Sequence, residues 1–215
     1  VGQVPAGEKP SPELKTHYTR GVVPKPAEQS SRFSYADVLR WPEDERWELH
    51  EGVAVAMSPA PSTIHQRVVG ELYRQIANFL IDRPCEVFVA PFDVRLGPID
   101  SQPDQINTVV QPDLAVICDH TGLDERGFQG GPDWVIEVLS PSTAARDQIT
   151  KLRFYEAHAV KHYWLVHPIE RVVTVYSRSD PNVRFGRPQI SETKGQLASG
   201  MFDALSIDWE RLPAG

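Results

Sequence analysis

The chain has 215 residues, 40% of them hydrophobic and 24% charged, and a formal charge of −7 at neutral pH. That is the composition of a globular protein able to bury a good-sized core, and the negative balance argues against a coat on nucleic acid. No run nears the roughly 20 apolar residues of a membrane span. The opening VGQVPAGEKP lacks the apolar centre of a signal peptide. Cys85 and Cys118 are too few for a disulfide framework or a thiolate zinc site, so a cytoplasmic protein with no membrane partner is expected. The charge is uneven: residues 141–200 hold nine Lys/Arg against five Asp/Glu, a local +4 that leaves −11 elsewhere. A basic stretch beside carboxylates suits a polyanionic substrate, and scatter over the surface accounts for it equally well.

Residues 1–31 contain Pro5, Pro10, Pro12, Pro24 and Pro26 and little periodicity, and are expected to be an extended arm. Residues 32–215 then form a single domain. Ser34 is placed to cap a short helix through Tyr35, Val38 and Leu39 that Pro42 stops. Residues 46–50 and 53–57 read as two strands around the turn Glu51-Gly52. Ser62 or Thr63 caps a helix whose Ile64, Val68, Val69, Leu72, Ile76, Phe79 and Leu80 recur at helical spacing. Residues 86–94 give one or two strands broken at Pro91, 97–107 are polar and turn-rich, and strand signal returns at 108–110 and 114–117. Residues 118–131 read as a glycine-rich loop.

The stretch 132–155, PDWVIEVLSPSTAARDQITKLRFY, organises the rest. Trp134, Val135, Ile136, Val138 and Leu139 make a strand buried on both faces. Glu137 sits in its middle, where an uncompensated carboxylate costs several kcal/mol. A turn at 140–143 carries a helix cap, and a helix follows with Ile149, Leu152 and Tyr155 on one stripe and Lys151 beside it. Strands at 162–166 and 171–177 come next, then a weak strand at 189–193. The chain closes on an exposed apolar tail with Phe202, Leu205, Ile207 and Trp209. Trp41, Trp47, Trp134, Trp164 and Trp209 fall mostly at apolar strand positions, as core or dimer surface. The order is that of a strand-rich α/β domain with two main helices.

Asp113 stands at the edge of one apolar strand and Glu137 inside another. Carboxylates held together repel, and a divalent ion relieves that repulsion while gaining hard oxygen ligands. Mg²⁺ so held activates water and stabilises charge on a phosphoryl oxygen. Lys151 can serve as a point charge beside a phosphate or help deprotonate water. The alternatives are structural: Asp113 satisfies backbone N–H groups, and Asp147 with Lys151 forms an i, i+4 surface pair worth about 0.2–0.5 kcal/mol. His158 and His162 flank a helix-to-strand change and share no metal-binding face. Gly130-Gly131 lacks the Lys-Ser/Thr of a P-loop, and Ser142 suits a cap rather than a nucleophile.

The segments PDLAVI (112–117), PDWVIEVLSPST (132–143), Asp147-x-x-x-Lys151-x-x-x-Tyr155 and HYWLVHP (162–168) closely resemble the Uma-two family. RWELHEG (46–52), SPAPSTIHQRVVGEL (58–72) and APFDVRL (90–96) extend the resemblance over residues 33–209. That bacterial family of restriction-endonuclease-like proteins is placed in the PD-(D/E)XK nuclease superfamily. The resemblance implies a restriction endonuclease-like α/β fold, a mixed central β-sheet flanked by helices. It also implies a Mg²⁺-dependent endonuclease, with Mn²⁺ as a substitute, that hydrolyses DNA phosphodiester bonds to a 3′-hydroxyl and a 5′-phosphate, commonly as a homodimer.

Carried over, Asp113 and Glu137 are the two acids and metal ligands. The residue two after the second acid is Leu139, where the signature has lysine, and that role passes to Lys151 on the following helix. Glu48 matches the family's upstream glutamate, either a third metal ligand or a structural partner of His65, Lys151 or a backbone group. His65 matches the family's helix histidine, either a catalytic base or phosphate contact or a structural hydrogen bond. Gln111 and Ser140 flank the acids and orient them. Two other functions fit the same sequence: a catalytically inactive nucleic-acid-binding or structural dimer, favoured by Leu139 and the acidic balance, and a metal-dependent hydrolase of small phosphoesters.

Overall fold

The computed structural model describes residues 32–42, 45–57, 60–141 and 144–212. The arm expected over 1–31, and the cap expected at Ser142 and Thr143, lie outside the described residues. Ser34 opens α1 (Tyr35–Val38), its backbone N–H and hydroxyl both donating to the Asp37 carboxylate. β1 (Trp47–His50) and β2 (Val53–Ala56) pair about Glu51-Gly52, both at positive φ. The Ser62 hydroxyl accepts the His65 N–H at 3.3 Å and starts α2 (Thr63–Leu80). There follow β3 (Glu86–Val89), β4 (Val94–Arg95), β5 (Val109–Val110), β6 (Leu114–Ile117), β7 (Leu123–Asp124), β8 (Gly127–Gln129) and β9 (Trp134–Val138). A π-helical segment, Arg146–Lys151, runs directly into α3 (Leu152–Ala157). β10 (His162–His167), β11 (Val172–Ser177), β12 (Gln189–Glu192), β13 (Gln196–Ala198) and β14 (Ser206–Asp208) complete the described chain.

The expected mixed sheet is present, in the order β12-β11-β10-β9-β6-β3, with β9 and β10 parallel and the other pairs antiparallel. A second six-stranded sheet, β2-β1-β5-β4-β8-β7, joins it where the chain leaves β5 and enters β6 through Gln111-Pro112-Asp113. Alternation divides the core. Ile136 and Val138 pack with Val68, Val69, Leu72 and Ile76 of α2. Val135 and Leu139 pack with Phe154 and Tyr155 of α3 and with Val94 and Val110 of the second sheet. Glu137, at the same parity as Val135 and Leu139, therefore enters the α3 side. Among the described residues no helix is long and apolar enough to cross a membrane.

Four expectations are corrected. Ile149 is 66% exposed, not part of a buried stripe. The wide π-helical turn, with its i→i+5 pattern, breaks the 3.6-residue spacing and points Asp147 and Lys151 inward instead. Residues 118–131 hold the hairpin β7–β8, docked on β4 through Val94↔Phe128. Gly127, at φ +130, makes that approach possible, since a Cβ there would run into the Asp93 carbonyl. The tail is core: Leu205, Ile207 and Trp209 are buried against α2 and Trp164. Gln75 of α2 fixes it, donating to the Asp208 carbonyl at 3.0 Å and accepting the Asp208 N–H at 2.8 Å. Cys85 and Cys118, at facing ends of β3 and β6, are bonded to each other. A loop of 33 residues closed in this way stabilises by about 3–4 kcal/mol. The expectation of a cytoplasmic protein thereby loses the support it took from the cysteine count. Trp134, Trp164 and Trp209 are core as expected, while Trp41 and Trp47 are only half-buried.

Candidate active site

Five elements meet beside the joint of the two sheets. β1 supplies Glu48, the first turn of α2 His65, the β5–β6 crossing Asp113, β9 Glu137, and the π-helical segment Asp147 and Lys151. All six line one cavity of about 460 Å³, rimmed by Arg46 and Arg146. The volume lies in the ordinary range for a small-ligand site, about 300–1,000 Å³.

Lys151 is the hub. Its ammonium is 2.9 Å from Oε1 of Glu48, 2.9 Å from Oε1 of Glu137 and 3.6 Å from Oδ1 of Asp147. Burial lowers its pKa, and the three carboxylates overcome that and raise it well above the usual range, so it is a fixed cation. Glu48 accepts from Lys151 and from the Gln111 N–H at 2.9 Å, and its other oxygen meets His50 Nε2 at 2.9 Å. Burial opposes its ionisation, yet these partners win and hold its pKa down to about 2. Glu137 takes Lys151 and the Tyr155 hydroxyl, both at 2.9 Å. Here burial, reinforced by Asp147, Asp113 and Glu48, outweighs Lys151, and the carboxyl is pushed well above its ordinary range. Two glutamates on the same ammonium thus titrate in opposite directions, because Glu48 has a backbone N–H and a histidine to satisfy it, whereas Glu137 faces other acids.

Asp113 lies on the outer side. Its Oδ2 accepts the Val138 N–H at 2.8 Å and stands 3.2 Å from His65 Nε2. Burial lowers the His65 pKa, but the hydrogen bond to Asp113 and its charge outweigh burial and raise it. The contact of the structural alternative for Asp113 is present, since it satisfies a backbone donor, and the His65 backbone N–H reaches Ser62 at the helix start. Glu48 meets Lys151 and a backbone N–H, two of its three structural alternatives.

The Asp147–Lys151 pair is no surface ion pair, since the two residues are 3% and 4% exposed. Its burial follows from the π turn, which helical spacing does not reveal. His50, two residues after Glu48 and on its face of β1, could have been found from that parity. Tyr155 belongs to the motif that includes Lys151, and its burial raises its pKa so that it stays a hydrogen-bond donor. Gln111 links the rim to the interior, accepting from Arg46 at 2.6 Å and donating to Asp93 at 2.7 Å.

Among the described residues, no three His, Cys, Asp or Glu side chains are spaced to close on one metal ion. The Lys151 ammonium fills the space between Glu48 and Glu137. The chemistry of the donors nevertheless fits a hard divalent ion: Glu48, Asp113, Glu137 and Asp147 bring carboxylate oxygens to one cavity against the single ammonium of Lys151.

Residues 35–208 match the model of the family Uma2, described as "Putative restriction endonuclease". An uncharacterized protein of Synechocystis sp. is 29% identical over 164 residues, 74% of this chain and 81% of that protein. A crystal structure from Anabaena variabilis, described as a "putative nuclease belonging to DUF820", superposes with a TM-score of 0.65 at 20% identity, covering 84% of this chain and 97% of its own. At that identity the likeness speaks for the fold, which is nuclease-like.

Proposed function

Because the chain belongs to the Uma2 family of restriction-endonuclease-like proteins, we propose that it is a Mg²⁺-dependent endonuclease that hydrolyses DNA phosphodiester bonds in the cavity between the two sheets. The observation that carries this reading is the convergence of Asp113, Glu137 and Glu48 with a fixed ammonium, Lys151, on one cavity open to solvent. Asp113, Glu137 and Glu48 would hold the ion, which supplies an activated water and positive charge for the phosphate. Lys151 holds Glu48 ionised, donates to Glu137 and presents positive charge near the phosphorane oxygens. His65, oriented by Asp113, is placed at the outer edge to receive a proton or to hold a non-bridging oxygen. Arg46 and Arg146 favour an anionic backbone at the rim, despite the negative charge of the whole chain. The homodimer belongs to this proposal as the means of cutting two strands, on a surface other than the buried 205–209 tail.

Nicking of supercoiled plasmid with Mg²⁺ or Mn²⁺ tests the reading. Wild type is expected to nick, and Glu137→Gln to lose at least about 10³-fold, several kcal/mol of lost stabilisation, with its fold intact by circular dichroism. Nicking by Glu137→Gln at the wild-type rate would locate the activity elsewhere. Turnover of short phosphodiesters with intact plasmid would favour the small-phosphoester hydrolase.

A further inference from the structure

A second cavity, about 580 Å³, opens on the other side of Arg46 and Gln111, which line both spaces. Its walls differ from those of the first. Tyr35, Trp41 and Trp47 give it aromatic surface, while Asp93, Glu45 and Arg126 give it polar edges. The tryptophans are half-buried but held in place. Trp41 packs edge-on to Phe33 at 5.3 Å and to Trp47 at 5.7 Å, and the Trp47 indole N–H donates to Glu45 at 3.0 Å. A row of hydrogen bonds makes one wall of the two cavities: Arg46 donates to Gln111, Gln111 to Asp93, and the Tyr35 hydroxyl to Asp93.

We propose that this aromatic cavity takes an unpaired nucleobase of the DNA strand whose phosphate occupies the carboxylate cavity, with Arg46 contacting the linking backbone between them. The proposal rests on the nucleic-acid reading of the neighbouring site. Three features select this occupant over an apolar peptide or a second copy of the chain. The cavity shares Arg46 and Gln111 with the carboxylate site. The guanidinium on the dividing ridge, with a second from Arg126, suits a backbone phosphate at the entrance. Fixed aromatic surface beside carboxylate and amide groups is the combination that stacks a base and reads its edge. A duplex base has no free face to offer such a pocket, so the strand must be single or locally opened there.

The test is a binding scan with the full chain in EDTA, where no cleavage can intervene. Fluorescently labelled single-stranded DNA oligonucleotides, each carrying one abasic nucleotide at a different position, are titrated and followed by anisotropy. To align the positions, each oligonucleotide carries at one bond a phosphorothioate whose cleavage is scored separately with metal. Wild type is expected to lose about tenfold or more in affinity at one position near that bond, the ordinary effect of removing a stacked base. Trp41→Leu is expected to bind the intact strand as weakly as wild type binds that abasic strand, with no further loss when both changes are combined. A flat abasic scan in wild type overturns the proposal, and needs no variant to fold. So does a Trp41→Leu protein of native circular dichroism that keeps the wild-type pattern. A protein that passes the scan but cuts nothing with Mg²⁺ or Mn²⁺ leaves the base pocket standing and removes the nuclease reading alone.

Discussion

The inner and outer halves of the carboxylate cavity both set carboxylates against a basic side chain and are built in opposite ways. Inside, Glu48, Glu137, Asp147 and Lys151 are each at most 4% exposed, and the Lys151 ammonium draws the three acids together. The Tyr155 hydroxyl also donates to Glu137, and His50 and the Gln111 backbone N–H meet Glu48. Outside, the side chains of His65 and Asp113 are 10% and 19% exposed and face each other across 3.2 Å. Charges sealed with all their partners cannot exchange them cheaply, because every lost contact leaves an ion in low dielectric. Charges at the mouth can. The inner half therefore sets the field of the site, and the outer half is where a substrate or its proton can be handed over.

Removing the inner cation is the most severe way to break that contrast. Lys151→Met keeps the length of the side chain but leaves three buried acids without their common partner. A loss of about 3–5 kcal/mol in denaturant unfolding at neutral pH is expected. A loss under about 1 kcal/mol would show that the acids relax to solvent, and the distinction between halves would collapse. Tyr155→Phe is the milder probe of the same half. It deletes one donor to Glu137 and nothing else, for an expected cost of about 1–3 kcal/mol. A cost below that range would mean that water replaces the hydroxyl and that the inner half is wetter than its burial indicates.

This division was only partly legible in the sequence. Parity along β9 places Glu137 inside, and the position of Asp113 just before β6 makes it a strand-edge acid, because strands are read by a period of two that tertiary packing seldom alters. The segment after residue 144 misleads for a definite reason. Helical spacing assigns Ile149 to the buried stripe and allows the Asp147–Lys151 pair a surface alternative, and the π-helical stretch instead exposes Ile149 and buries the pair. The burial of Lys151 depends on contacts with β1, some hundred residues earlier, which no local window contains. The tail misled for a similar reason: its apolar residues meet α2 and Trp164 only when the chain returns across the sheet. Glu48 itself was legible through its motif, but its role as one of two acids sharing Lys151 emerges only where the two sheets join.

The outer half has its own probe, and its sign is fixed by the His65 titration. Burial disfavours the protonated ring, while the hydrogen bond to Asp113 and the Asp113 charge favour it more, so the folded pKa lies above the ordinary value near 6.5. A raised folded pKa gives stability that is complete below the unfolded value and fades as pH rises through the folded one. In metal-free buffer, wild type should therefore exceed His65→Gln in melting temperature by more at about pH 5.5 than at about pH 9. The sign of the difference between the two gaps is the readout, the gap being larger at the lower pH. Asp113→Asn should remove the pH dependence of the gap while leaving the inner acids in place, since the inner contacts with Lys151 do not pass through Asp113. A gap that is equal at both pH values would mean that Asp113 holds a neutral imidazole by geometry alone. The pair at the mouth would then be as rigidly committed as the cluster behind it, and no proton would be available there for transfer.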